Sequence, residues 1–195
     1  MEINLKGKTP DVRSLYDMRD VLYDQEWADR APDLQLYFMY RGLEEKDGIR
    51  YDITTIPAQM LGKEFNKTKG HIHIGNYPEI YTVLEGEGIY LMQKQKGDII
   101  EDVFAVRAKK GDFIIIPPFY AHITINPSKK EDLKMANWMA SDAKSNYSPI
   151  LEKKGACYFY AANGWIKNPN YVEVPELRFE EPKKELPEDL TFLKG

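Results

Sequence analysis

Short apolar runs separated by turn residues dominate the chain from about residue 34 onward. The runs are LQLYFMYR, YDITTIP, IYTVL, GIYLMQK, VFAVRA, FIIIP, HITIN, KMANWM and ACYFY. Clusters of Gly, Pro, Asn, Asp or Lys bound each run, as in antiparallel sheets of short strands. The charged, glycine-containing segments LEEKDGIR and QKQKGDIIED are typical of hairpin connections. The pattern therefore predicts an all-β fold, either a sandwich or a barrel.

The two ends of the chain have different patterns. From Asp11 to about Trp27, apolar residues recur at intervals of three and four, which predicts an N-terminal helix that Asp11 caps. Beyond Pro175 the chain is charged and interrupted by prolines, which predicts a peripheral C-terminal arm on the surface or on a partner subunit. A length of 195 residues suits one domain, 1–195. Its core is expected at about 34–160, after an N-terminal extension, 1–33, and before an arm, 161–195.

Composition narrows the partners and the compartment. With 43% hydrophobic and 30% charged residues and a net charge of -4, the chain lacks the clustered positive charge of a nucleic-acid-binding protein. No stretch is apolar enough for a signal peptide or a membrane span. The single cysteine, Cys157, lies in an apolar run and is expected to be a buried, inert thiol. We therefore expect a cytoplasmic protein that binds neither nucleic acid nor membrane.

All three histidines lie in two short motifs. TKGHIHIGNYPEIYTVLEGEG, residues 68–88, contains His71, His73 and Glu79, and GDFIIIPPFYAHITIN, residues 111–126, contains His122. Side chains two residues apart in a strand point the same way, so His71 and His73 can reach one ion. A carboxylate and a third imidazole would complete a site for one divalent transition metal, Fe, Mn, Ni, Co or Zn. Glu85 shares the strand parity of Glu79, so parity alone does not exclude it.

The His-x-His pair, the Glu and the later Gly-x5-Pro-x4-His-x3-Asn together resemble the two signature motifs of the cupin superfamily. Within it, TKGHIH, PEIY and IIIPPFYAHITIN are most similar to the metal-dependent cupin glucose-6-phosphate isomerases, from about Tyr37 to Tyr147. The resemblance implies a cupin jelly-roll barrel and a homodimer. It also implies interconversion of glucose 6-phosphate and fructose 6-phosphate, a step of glycolysis and gluconeogenesis.

The resemblance further implies that a sugar phosphate meets a threonine-rich corner and several tyrosines. The residues implied are Tyr37, Thr54 or Thr55, Thr68, Gly70 and Tyr147. Hydroxyl and amide donors there could hold phosphate oxygens, and close approach of the backbone to the ligand would explain a glycine at position 70. The alternative is that TKG is only a turn and TT an edge-strand pair.

Catalysis would depend on Glu79, which would carry a proton between C2 and C1 of the sugar, with Tyr81 beside it on the same face. In a hydride-shift route Glu79 would remain chiefly a ligand, and both routes stay open. The similar archaeal enzymes have a histidine two positions before the residue matching Tyr147, where this chain has Ser145. Ser145 would favour a cupin isomerase or epimerase for another sugar phosphate. A cupin that binds a sugar phosphate without turnover is a further alternative.

Overall fold

The computed structural model describes residues 4–195, so residues 1–3 of the predicted N-terminal extension lie outside it. The helical segments are few and short: α1 (Leu15–Met18), α2 (Gln25–Arg30), α3 (Ser148–Glu152) and 3-10 turns at Arg19–Val21 and Thr191–Lys194. The strands are β1 (Asp11–Ser14), β2 (Gln35–Lys46), β3 (Ile49–Ile56), β4 (Met60–Leu61), β5 (Glu64–Phe65), β6 (Ile72–His73), β7 (Glu79–Glu85), β8 (Glu87–Lys96), β9 (Ile99–Lys109), β10 (Phe113–Ile116), β11 (Ala121–Ile125), β12 (Leu133–Ala140), β13 (Ser145–Asn146), β14 (Tyr158–Ala161), β15 (Gly164–Lys167) and β16 (Arg178–Glu180).

Two sheets enclose the main core. The larger sheet has the order β1-β2-β3-β12-β7-β10, and its strands pair antiparallel throughout. The smaller has the order β11-β8-β9-β16, in which only β16 runs parallel to its neighbour. Apolar side chains of both sheets belong to one cluster, among them Leu36, Tyr90, Val106 and Leu133. Every apolar run predicted as a strand overlaps one, so the all-β, antiparallel fold class is confirmed.

The prediction of one helix from Asp11 to about Trp27 is wrong. Asp11 does not cap a helix but begins β1, which pairs with the edge of β2. Helix begins only after Ser14, whose backbone N–H donates to the Asp17 carboxylate at 3.0 Å, and it breaks after Val21 before α2. The apolar residues from Leu15 onward are buried as the pattern requires. Pairing with the unsatisfied backbone groups of β2 outweighs helical periodicity at the start of the segment.

The C-terminal arm lies on the surface of its own chain. β14 and β15 form a hairpin that joins β4 and β5 in a four-stranded sheet. Further along, β16 extends the smaller sheet, and the backbone of Lys183 exchanges two hydrogen bonds of 2.8 Å with Phe113. Near the chain end Leu193 is fully buried. Residues beyond the expected core range of 34–160 therefore extend the smaller sheet through β16 and pair with β10 through Lys183.

The environment of Cys157 and the length of the helices bear on two further expectations. Cys157 is a free, fully buried thiol, and burial raises its pKa to about 12. The prediction of an inert cysteine is consistent with this environment, because the reactive form is the thiolate. Within residues 4–195, no helix has the length and apolar character to cross a membrane.

Candidate metal centre

The four predicted ligands come from three places in the fold that the backbone brings together. His71 lies just before β6, and its backbone forms an isolated bridge with His122 on β11, including an N–H to carbonyl hydrogen bond of 2.9 Å. His73 ends β6, and Glu79 begins β7 directly after Pro78. The loop between them therefore returns the chain so that the carboxylate enters the cavity that His71 and His122 also line.

The ligand atoms of this cluster converge. The Nε2 atoms of His71 and His73 are 3.2 Å apart, and Glu79 Oε2 lies 3.2 Å from His122 Nε2 and 3.5 Å from His73 Nε2. One ligand atom from each of the four residues fits within 4.8 Å of the others. Donors bound to one ion at about 2.0–2.2 Å are necessarily this close to one another. The geometry is that of a mononuclear metal site with three imidazoles and one carboxylate.

Within the described residues, 4–195, two of these atoms lack a hydrogen-bond partner. Glu79 Oε2 and His122 Nε2 are both buried, and although they face each other they make no hydrogen bond of normal geometry. Buried polar atoms are rarely left in this state, so an electron-pair acceptor between them is a chemically reasonable partner. By contrast, Nδ1 of His73 lies 2.9 Å from the carbonyl of Tyr77, which fixes the ring and leaves Nε2 facing the centre. The donor set therefore fits a divalent transition metal.

Burial sets the protonation of the cluster. It lowers the pKa of His71 well below its usual value, and the neighbouring imidazoles of His122 and His73 add to the effect. It also lowers the pKa of His73, although Glu79 opposes the shift. For Glu79, burial alone would raise the pKa, but interactions with His122 and His73 outweigh it and hold the pKa below the usual value. Neutral imidazoles and an ionised carboxylate are the forms that bind metal.

Asn137 is a member of the site that sequence reasoning missed. It lies in β12 beside Tyr81 of β7, and its Nδ2 donates to Glu79 Oε1 at 2.7 Å. Both side chains are buried. One carboxylate oxygen is thus held by an amide while the other faces the imidazoles. The available signal was a polar residue inside the apolar run KMANWM, at a position that faces inward.

The predicted aromatic residues also line this cavity. Tyr81 is buried, and burial together with the charge of Glu79 raises its pKa well above the usual value, so it stays a neutral phenol. The hydroxyl of Tyr37 accepts a hydrogen bond of 3.3 Å from the backbone of Lys69. The ring of Tyr147 lies with its centroid 5.5 Å from that of His71. All three tyrosines are therefore within the walls of one cavity.

The threonine corner divides into residues that reach the cavity and one that does not. Thr54 lines it, whereas Thr55 is on the opposite face of β3, the face on which Tyr51 and Ile53 form a separate apolar cluster. Thr68 also lines it, and its hydroxyl accepts from the backbone N–H of Thr124 at 2.9 Å. Of the two alternatives on β3, only Thr54 is placed to contact a ligand here.

Gly70 lines the cavity, but packing explains its identity better than the approach of a ligand does. Its φ is +83°, a conformation that side chains rarely adopt, and a Cβ there would lie 2.3 Å from Cγ2 of Ile123. The close approach is therefore to β11, which carries His122. Glycine lets the segment before His71 lie against that strand.

Further polar and sulfur-containing residues complete the walls. Those not anticipated from the sequence are Met39, Arg41, Arg50, Asp52, Met135 and Met139. Ser145 also lines the cavity and pairs with His73 through β13. Glu85, which parity left open as a ligand, is instead a mostly exposed side chain 3.0 Å from Lys134. It does not belong to the cluster.

The chain is similar to a known family over most of its length. The family model described as Glucose-6-phosphate isomerase (GPI) matches residues 8–176. Glucose-6-phosphate isomerase of Pyrococcus furiosus is 31% identical over 169 residues, which cover 84% of this chain and 87% of that protein. Glucose-6-phosphate isomerase of Thermococcus litoralis is 33% identical over 161 residues, 80% of this chain and 82% of that protein.

Similarity to solved structures is more distant. An oxalate oxidase in complex with the substrate analogue glycolate matches with a TM-score of 0.45 and 15% sequence identity. The match covers 58% of this chain and 56% of that one. Likeness at this level carries no argument about the reaction of this chain.

Proposed function

The chain belongs to the glucose-6-phosphate isomerase family, and we propose on that basis that it interconverts glucose 6-phosphate and fructose 6-phosphate in the cavity described above. The observation that carries the proposal is the convergence of three imidazoles and a carboxylate, of which His71, His122 and Glu79 line that cavity. The matched residues, 8–176, include all four ligands and every cavity residue. An aldose–ketose isomerase needs a base and a means of stabilising charge on two neighbouring oxygens, and both can be drawn from these residues.

His71, His73, Glu79 and His122 would hold one divalent transition metal. When bound, such an ion supplies Lewis-acid polarisation of the oxygens on adjacent carbons of the sugar. The donor set suits Fe, Mn, Ni, Co or Zn. Burial lowers the pKa of His71 and of His73, which favours the neutral imidazoles that act as ligands.

Glu79 is proposed as the base that moves the proton between C2 and C1. Its lowered pKa keeps it ionised near neutral pH, and the amide of Asn137 orients the carboxylate through Oε1. Tyr81 stands beside it as a neutral phenol that can donate a hydrogen bond to a sugar oxygen. In a hydride-shift route the same carboxylate would only hold the ion, and exchange of the transferred hydrogen with solvent distinguishes the two routes. A base is required for exchange of the transferred hydrogen with solvent, whereas a hydride shift gives none.

The phosphate is proposed to lie at the corner formed by Thr54, Thr68 and the backbone of Gly70, with Tyr37 and Tyr147 beside the sugar. Hydroxyl and amide donors meet there, and Thr54 is paired with Met135, two residues before Asn137 on β12. Such donors can bind the phosphate without the phosphate having to coordinate the metal ion. The substrate would then span the cavity from this corner to the carboxylate.

The decisive experiment is a coupled assay for conversion of fructose 6-phosphate to glucose 6-phosphate. The protein is stripped with a chelator and then reloaded with Fe, Mn, Ni, Co or Zn in parallel. Turnover restored by one ion, and absent from a His122→Ala variant treated identically, supports the proposal. Stoichiometric metal binding without turnover in any preparation would refute it.

Ser145 favours one second candidate, an isomerase or epimerase for another sugar phosphate. This residue lines the cavity where similar archaeal enzymes have a histidine, and no further histidine exists in the chain. A panel of aldose and ketose phosphates with the reloaded protein tests it. A higher kcat/KM for another sugar phosphate than for fructose 6-phosphate would establish this reading, and binding without turnover throughout the panel would support a non-catalytic sugar-phosphate protein.

We also propose a cytoplasmic homodimer, in keeping with the sequence expectations. Antiparallel sheets with partly covered outer faces commonly pair with a second copy. Light scattering at micromolar concentration measures the assembly, and a monomeric mass would refute the dimer. Cell fractionation tests the compartment.

A further inference from the structure

One wall of the cavity contains a charged pair that the proposed function leaves unused. Strand β3 alternates its side chains, and Arg50, Asp52 and Thr54 share the face that lines the cavity. Thr54 belongs to the proposed phosphate corner. Arg50 lies four residues before Thr54 on the same strand, about 13 Å away at the usual rise per residue. An arginine at that end of the cavity is too distant for the phosphate corner and needs another role.

The strand register places Arg50 at the level of the ligand carboxylate. Asn137 lies between Asp52 and Tyr81 and donates to Glu79, two residues beyond Tyr81. Arg50 is paired with Met139, two residues beyond Asn137 in the same direction. By contrast, Thr54 is paired with Met135 on the other side of that row. Arg50 therefore faces the end of the cavity at which the sugar would present C1 and C2.

Asp52 holds the guanidinium in place. Its Oδ2 accepts from Nε of Arg50 at 3.1 Å, and its Oδ1 accepts from the backbone N–H of Gly42 at 2.7 Å. Only 5% of Asp52 is exposed, so the carboxylate is a fixed anchor. Within residues 4–195 the remaining donors of Arg50 have one protein contact, the sulfur of Met139 at 3.1 Å, which is a weak acceptor. The guanidinium of Arg50 is thus oriented, and it still has N–H groups that can donate to a ligand.

We infer that Arg50 is a catalytic residue that donates hydrogen bonds to the sugar oxygens at C1 and C2, and that Asp52 is its positioning residue. The inference rests on the proposed isomerase function. When a proton leaves C2 for a base, the electron pair of the C–H bond forms the C1–C2 double bond and the C1 carbonyl pair moves to oxygen. A guanidinium stays protonated throughout and stabilises this negative charge. In a partly enclosed cavity such a preorganised donor acts most strongly on the transition state.

The test compares two ligands that differ only at this end. Arabinonate 5-phosphate carries a carboxylate where charge would develop, whereas arabinitol 5-phosphate is uncharged there. Binding of both to metal-loaded protein is measured by calorimetry for the wild type, Arg50→Gln and Asp52→Asn, with metal content determined for each. The matched control is Arg107→Gln, which removes a mostly exposed arginine of β9 that is paired with Glu87 of β8 in the smaller sheet.

Arg50→Gln should weaken binding of arabinonate 5-phosphate about 30-fold and binding of arabinitol 5-phosphate less than about threefold, at full metal content. Its kcat should fall about 100-fold with little change in KM. Asp52→Asn should give a smaller loss of the same kind, and the double variant should be no worse than Arg50→Gln, because both act through one guanidinium. Arg107→Gln should bind both ligands as the wild type does. If Arg50→Gln folds poorly, Arg50→Lys keeps the charge and loses the planar fork, and the same selective loss is expected.

Equal weakening of both ligands, or none, in an active, metal-loaded background overturns the role of Arg50. Additive effects of the two substitutions overturn the positioning role of Asp52. A wild-type protein that lacks isomerase turnover refutes the proposed function instead. The two failures are therefore read from different measurements.

Discussion

Replacing Asn137 by alanine tests whether the carboxylate of Glu79 needs an oriented partner. The amide donates to Glu79 Oε1 at 2.7 Å, and both residues are almost completely buried. A buried carboxylate that loses a hydrogen-bond donor still bears the free-energy cost of having been removed from water. A hydrogen bond to a charged group is worth about 1.5–3 kcal/mol. Each 1.4 kcal/mol corresponds to about a tenfold change.

The expected result is therefore a loss of about 10- to 100-fold in kcat/KM. Because Asn137 contacts the carboxylate and not the phosphate corner, kcat should carry most of the loss. The donor favours the ionised form of Glu79, so its removal raises the pKa and shifts the acid limb of the pH–rate profile to higher pH. Metal affinity should also fall, since the partners of ligating groups typically contribute 10- to 100-fold.

The assay is steady-state kinetics from pH 5 to 9 on metal-loaded protein, with metal affinity measured by competition with a chelator. Asn163→Ala is the matched control, because Asn163 lies on an exposed turn far along the chain, between β14 and β15. Wild-type kcat/KM, pH profile and metal affinity in Asn137→Ala would refute the reasoning. They would mean that the imidazoles and the ion orient Glu79 unaided.

Three further substitutions test other parts of the structure. Thr54→Val should raise KM for the sugar phosphate several-fold at unchanged metal content, whereas Thr55→Val on the opposite face should not; equal effects on KM would move the phosphate corner elsewhere. Gly70→Ala should destabilise the fold by about 1–3 kcal/mol in urea titrations, since a Cβ would lie 2.3 Å from a side-chain carbon of β11 at a φ of +83°. Lys67→Met should cost about 3–5 kcal/mol at neutral pH, because the ammonium lies 2.7 Å from the fully buried carboxylate of Glu64. Burial raises the pKa of Glu64, so the folded state binds its proton more tightly than the unfolded chain. Stability from that group is present at low pH and is lost as pH rises, and the variant should be more destabilised at pH 8 than at pH 4.5; a pH-independent loss would contradict this account.

The convergence of His71, His73, Glu79 and His122 could be predicted from the sequence because it depends on residue type and on short spacing. His71 and His73 share a face through the two-residue period of a strand, and the few histidines of the chain leave little choice for a third imidazole. The nine apolar runs predicted the strands for a similar reason, since each run is local and is bounded by turn residues. Both predictions use information contained within a few positions.

The partners of those ligands depend on strand register, which the sequence does not reveal. Whether Asn137 reaches Glu79 is decided by how β12 aligns with β7, and a shift of one residue would turn the amide to the other face. Arg50 and Asp52 face the cavity for the same kind of reason, because β3 is aligned with β12. From sequence alone, an arginine near a hairpin is expected to be solvated. Its function becomes visible only when a carboxylate on the same strand is seen to hold it.

The predicted helix from Asp11 to about Trp27 was wrong because periodicity describes which residues are buried and not how the backbone is hydrogen-bonded. Leu15, Met18, Val21 and Leu22 are buried as a helical face would be, yet they belong to a short helix, a 3-10 turn and the residue that follows. Asp11–Ser14 instead completes the edge of the larger sheet. Burial is a demand of the core and can be met by any local geometry that directs these side chains inward. The backbone conformation of Asp11–Ser14 is therefore set by pairing with the unsatisfied edge of β2. The same pairing places Arg13 of β1 opposite Tyr37, which lines the cavity.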